Sequence, residues 1–177
     1  MKTEEYEIFF ERAEGYLKKG DYNKAIKEFE AMLIKWPNDA KSYNKLGVCH
    51  ASLRNFKKAR LHLKKALEFD LKYSEPYNNL GNLYLEEKEY EKAVELYEKA
   101  LKLNPDYADA HSNLGLAYKK LKKIDEAVSH FKKAAEIDRK SPIIEIKSLK
   151  AKQKNIIFII FLIILLGLIF TLLFWKR

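Results

Sequence analysis

Apolar and polar residues alternate along most of the chain with the spacing of amphipathic helices. Large and small apolar side chains recur at intervals of three and four, which places them on one helical face. The pattern also repeats on a longer scale. Shifting the sequence by 34 residues aligns Leu46-Gly47 with Leu80-Gly81 and Leu114-Gly115. Ala25, Ala59, Ala93 and Ala127 form a second column of the same period, and Phe29, Leu63, Tyr97 and Phe131 follow four residues later. Tyr22, Phe56, Tyr90 and Ile124 lie three residues before the alanines. Tyr16, His50, Tyr84 and Tyr118 make another column, as do Met32, Ala66, Ala100 and Ala134. Pro37 and Pro105 occupy one inter-unit position.

Four units fit without insertion: 6–39, 40–73, 74–107 and 108–141. A fixed period of this length signals a repeat architecture. Each unit predicts two helices. The first carries Leu-Gly and the aromatic, the second the two small residues and a large one. Gly and Ala at facing positions let antiparallel helices approach to roughly 8–10 Å, and the large side chains fill the space beside them. One such pair cannot bury its apolar face alone, so the expected fold is an all-α solenoid of stacked pairs.

These columns resemble the tetratricopeptide repeat family over residues 6–141. The resemblance implies a right-handed superhelical solenoid that binds other proteins. The first unit departs from the pattern, with Arg12-Ala13 for Leu-Gly and Met32 for the second alanine, as a terminal unit with one solvated side allows. The fourth has Arg139 in place of proline, with Pro142 three residues later. Ser141-Pro142 reads as a helix start, and Ile143, Ile144, Ile146 and Leu149 fit a capping helix over 142–155.

Residues 156–174 contain no charge, and Trp175 extends the run to 20 residues. At about 1.5 Å per residue the run spans roughly 30 Å, a bilayer core. Its Ile, Leu and Phe content favours insertion by about 5–10 kcal/mol. A transmembrane helix is therefore expected over 156–175, followed by a two-residue tail at 176–177. Lys147, Lys150, Lys152 and Lys154 precede the span as a membrane-surface basic stretch, and only Lys176 and Arg177 follow it. The larger basic count points the repeats to the cytoplasm. This resembles a tail-anchored protein, in the plasma membrane if prokaryotic. No apolar segment at the N-terminus predicts export.

Charge supports the same division. The formal charge is +9, yet residues 1–138 carry 26 Lys and Arg against 24 Asp and Glu. The basic excess flanks the apolar run, which suits anionic lipid better than nucleic acid. The single cysteine, Cys49, excludes a disulfide within the chain, and reads as a small buried residue.

No phosphate loop, nucleophile elbow or His-Glu-x-x-His motif is present. The expectation is a non-enzyme with no cofactor, no metal site and no small-molecule substrate. His50, His62, His111 and His130 fall in repeat columns and read as structural. The Lys119-Lys120 and Lys122-Lys123 run reads as a solvated turn.

The resemblance places a peptide-binding groove along the first helices. The implied positions are Glu7, Phe10, Glu14 and Leu17; Lys41, Asn44, Val48 and Ala51; Glu75, Asn78, Asn82 and Leu85; and Asp109, Ser112, Leu116 and Lys119. Asn79 and Asn113 share an adjoining column. Asparagine amides donate and accept, which suits contact with a peptide backbone, and Phe10, Val48, Leu85 and Leu116 supply apolar pockets. A family subtype clamps acidic peptide termini with Lys, Arg and Asn. The matching positions hold Asn44, Val48, Asn79, Asp109 and Asn113, or one unit earlier Phe10, Glu14, Lys45, Glu75 and Asn79, so the cationic members are almost all missing. Four groove acids against two lysines point to a neutral or basic segment. The competing reading is a structural or assembly subunit of a membrane complex, packing through its transmembrane helix or convex face.

Overall fold

A computed structural model of the protein describes residues 4–140. Eight helices occur there in sequence: α1 Glu4–Lys18, α2 Tyr22–Lys35, α3 Ala40–Ser52, α4 Phe56–Phe69, α5 Ser74–Glu86, α6 Tyr90–Leu103, α7 Ala108–Lys120 and α8 Ile124–Lys140. The helices α3, α5 and α7 begin 34 residues apart. Within a pair, α1 packs on α2, α3 on α4 and α5 on α6. Between pairs, α2 packs on α3, α4 on α5 and α6 on α7, while α3 touches α5 and α5 touches α7. This is a solenoid in which each pair contacts its neighbours.

The turn inside each pair repeats in detail. Gly20, Arg54, Lys88 and Lys122, again 34 apart, all adopt positive φ, between 59° and 78°. Their N–H groups donate to Leu17, Ala51, Leu85 and Lys119, and the next residues' N–H groups reach back to Tyr16, His50, Tyr84 and Tyr118. That pair of bonds is the Schellman ending of a helix, which satisfies its last carbonyls. Only the first turn has glycine, the residue that tolerates this conformation at least cost. Asp21 caps α2 by accepting the Lys24 N–H at 3.4 Å, and Asp39 caps α3 by accepting the Ser42 N–H at 3.0 Å.

The close approach of paired helices depends on the glycine column. A Cβ at Gly47 would lie 2.6 Å from the Leu63 side chain, at Gly81 2.6 Å from the Tyr97 ring, and at Gly115 2.9 Å from the Phe131 ring. Ala25, Ala59, Ala93 and Ala127 are all buried, as are Met32, Ala66, Ala100 and Ala134. Phe29, Leu63 and Tyr97 are fully enclosed, while Phe131 in the last pair keeps 39% of its surface. At the other end Arg12 stands where Leu46, Leu80 and Leu114 are buried. It reaches across to Glu28 with Nη2–Oε2 at 2.6 Å and covers the Phe9 ring.

Three of the expectations meet this frame differently. The last helix is longer than α2, α4 and α6, running 17 residues against their 14. No proline stops it before Pro142. Second, the histidines pair. His50 stacks on His62 with ring centroids 5.2 Å apart, and His111 and His130 bring their Nδ1 atoms to 3.0 Å. Third, the end of unit four, the capping helix at 142–155, the span at 156–175 and Lys147, Lys150, Lys152 and Lys154 lie outside the described residues. Among the described residues, no helix is long and apolar enough to cross a membrane.

Candidate functional site

The first helices of successive pairs lie side by side, so their equivalent residues face one another at the unit boundary. The asparagines use this arrangement on each other. Asn79 donates its amide to Asn44 Oδ1 at 2.9 Å, and Asn113 donates to Asn78 Oδ1 at 3.0 Å. Asn44 and Asn78 are only 1% and 4% exposed. The Asn44 amide donates onward to the Tyr73 hydroxyl at 3.2 Å and to Glu75 Oε2 at 3.0 Å. The Tyr73 hydroxyl in turn donates to Glu75 at 2.9 Å. Every polar atom of Asn44 thus has a partner inside the protein. Burial, then the Glu75 carboxylate, raises the Tyr73 phenol far above its ordinary range.

The equivalent boundary between the first two pairs is held differently. The Tyr6 hydroxyl donates to Asp39 Oδ2 at 2.9 Å, and Ser42 Oγ donates to the same oxygen at 2.6 Å. Lys45, in the column of Asn79 and Asn113, reaches Glu14 at 2.8 Å. Burial raises the Glu14 carboxyl, but Lys45 and Lys18 outweigh it and hold the group below its usual range. Two of the four acids assigned to the groove, Glu14 and Glu75, are therefore engaged internally, whereas Glu7 and Asp109 are exposed.

The apolar candidates also divide. Phe10 is half-buried, stacked on Tyr6 with centroids 5.6 Å apart and edge-on to Phe29. Leu85 is half-buried against the Ala93–Tyr97 cluster. Leu116 is exposed. Val48 lines a pocket of about 380 Å³ with Ala51, Ser52, Asn79, Asn82 and Glu86, floored by Gly47, Phe56, Leu63 and Leu83. The structure thus brings Val48, Asn79 and Asn82 together between α3 and α5. Asn82 Oδ1 accepts the Tyr97 hydroxyl at 2.7 Å, and its amide nitrogen keeps two further donors. Arg54 and Glu86 close the rim, with Nη2–Oε2 at 3.8 Å. Sequence reasoning missed Ser52, Arg54 and Glu86 at this rim, and Tyr73 in the Asn44 network. The one available signal was the spacing of 35 in both Asn44/Asn79 and Asn78/Asn113.

Among the described residues, no three His, Cys, Asp or Glu side chains converge on a common point. Cys49 is buried, and burial pushes its thiol up to about 11, where it stays protonated and unreactive.

Comparison with known proteins places these observations. Profiles described as tetratricopeptide repeat match residues 10–72, 62–95 and 108–141, and one described as TPR repeat matches 81–122. No curated protein sequence matches. Among solved structures, one described as the crystal structure of MamA is 30% identical with a TM-score of 0.64, covering 76% of this chain and 79% of that one. Residues 41 to the end of MamA from Desulfovibrio magneticus RS-1 are 24% identical with a TM-score of 0.63, covering 77% of each chain. With the 34-residue columns, the stacked helix pairs and these matches in agreement, the chain belongs to the tetratricopeptide repeat family.

Proposed function

We propose that the protein is a membrane-tethered interaction scaffold that holds an extended segment of a partner protein along its first helices. The observation that carries this reading is the pocket between α3 and α5. An apolar floor and the Val48 and Ala51 side chains fit one apolar side chain of the partner, and the Asn82 amide and Ser52 hydroxyl on its rim fit the partner's backbone. The internal engagement of Glu14 and Glu75 narrows the expected partner from neutral or basic to a neutral segment. The apolar run at 156–175 and the basic residues before it support the tether, facing the repeats to the cytoplasm. Confinement to a membrane surface raises the effective concentration of partners there.

A photo-crosslinking residue at Ala51 in membranes tests the scaffold. The expected result is a crosslinked partner that disappears with Val48→Arg. A partner captured equally well by the Val48→Arg protein would remove the pocket from the reading. Alkaline extraction of those membranes tests the tether separately, and release of the full chain into the wash would refute it.

The assembly-subunit reading has one observation in its favour. A larger concavity, about 700 Å³, lies on α4, away from the pocket. Co-migration with an integral membrane protein despite Val48→Arg would support it.

A further inference from the structure

The concavity on α4 is lined by Lys57, Lys58, Arg60, Leu61 and Lys64, with Glu87 at its edge. Arg60 is committed to Glu87, its Nη2 lying 2.7 Å from both carboxylate oxygens. Lys57, Leu61 and Lys64 are exposed at i, i+4 and i+7, one face of the helix. Leu61 is 54% exposed in the middle of this basic stripe.

The helix α1 carries the opposite stripe at the same spacing. Glu4, Ile8 and Glu11 are exposed at i, i+4 and i+7, with Glu7 beside them. Ile8 is 57% exposed. Gly15 continues the stripe, and the space where its Cβ would stand is open. In α3, α5 and α7 the residues equivalent to Ile8 and Gly15 are buried: Ser42 and Cys49, Pro76 and Leu83, Ala110 and Ala117. This face of α1 is thus one that later units cover and the first does not. Among the described residues, none of Glu4, Glu7, Glu11, Lys57, Lys58 and Lys64 is in an ion pair.

We propose that α1 of one copy docks in the α4 concavity of a second copy, setting Ile8 against Leu61 between the two sets of charges. Charge chooses α4 over α8 as the seat for α1. The helix α4 has five bases and one acid, whereas α8, with exposed Val128 and Phe131, has four of each. The contact is heterologous, because each copy offers a different surface, and its repetition builds chains of molecules rather than closed dimers. Burial of one aliphatic pair with a few rim charges gives weak, salt-sensitive association.

Sedimentation velocity of the full chain in detergent micelles tests this. The expected result is a mass that grows with protein concentration and falls with added salt. Lys57→Glu/Lys64→Glu and Glu7→Lys/Glu11→Lys each weaken association at least tenfold, with helix content by circular dichroism unchanged. Mixing the two reversed proteins in equal amounts restores it, since each then finds its complement in the other. A mixture that stays dispersed, or assembly lost only with Phe131→Asp, overturns the proposal. So does a wild-type chain that remains a single copy per micelle at low salt. Loss of binding to anionic vesicles in the lysine variant, without restoration on mixing, would assign the α4 face to lipid instead.

Discussion

Asn79 donates its amide to Asn44 across a unit boundary, 35 residues away and at 2.9 Å. The bond locks two first helices together and takes the buried Asn44 out of the set that can meet a ligand. Asn113 and Asn78 repeat it one boundary later. Polar groups buried at such boundaries fix register, because any slip would leave them without partners.

Asn44→Ala should therefore act on stability rather than on binding. It strips partners from Asn79, Tyr73 and Glu75 together, and a loss of about 2–4 kcal/mol follows from leaving buried polar groups unsatisfied. Val48→Arg, at the half-buried pocket lip, should stay within about 1 kcal/mol of wild type. Urea denaturation of the two variants measures the difference.

Two glycines in equivalent helices should respond to alanine in opposite directions. At Gly81 the new methyl would meet the Tyr97 ring, and that ring is held by its hydroxyl on Asn82. Overpacking of this kind costs about 1–3 kcal/mol, enough to cancel or exceed the roughly 1 kcal/mol that alanine gains in helix propensity. At Gly15 nothing opposes the methyl, so the propensity gain should appear almost whole, about 0.5–1 kcal/mol. Thermal unfolding should show Gly15→Ala above wild type and Gly81→Ala below it.

Lys88 at φ 63° carries a side chain in a conformation that glycine adopts freely. Lys88→Gly should stabilise the protein by about 0.5–1 kcal/mol, after the entropy lost by a more flexible unfolded chain is subtracted. Denaturant titration at constant m-value checks it. Lys88→Ala should give no such gain.

The His50–His62 pair ties acid stability to the packing of α3 on α4. Burial, then His50, Lys65 and Lys58, pull the His62 imidazole from 6.5 down to about 4. Burial and Lys58 lower His50 as well, against a small opposing pull from Glu30. The folded state keeps these rings neutral while the unfolded state protonates them. Their contribution is intact above about pH 6.5 and declines as pH falls towards 4. His62→Leu, which copies Leu96 in the next unit, should flatten the fall in urea midpoint between pH 7 and pH 4.5.

What the residues revealed in advance followed from comparison of equivalents. Columns 34 apart located the starts of α3, α5 and α7 and the contact of each glycine with a large side chain, because those features recur at the same position in every unit. Contacts between unlike columns were hidden. Asn79 and Asn44 occupy different columns, as do Lys45 and Glu14 and the members of each histidine pair. Alignment by period shows which residues are alike, not which ones touch. The Lys45–Glu14 ion pair was hidden in the same way, although both residues stood among the positions compared.

The boundary chemistry bears on how such a protein can change its length over generations. Duplication of the block from Ser74 to Tyr107 would set a second Asn79 opposite the first Asn78, the pairing Asn113 already makes. A new copy of the gene segment would arrive with a compatible join at both ends. Tandem expansion or loss of whole units therefore asks for no fresh interface, while insertion of any other length would break one.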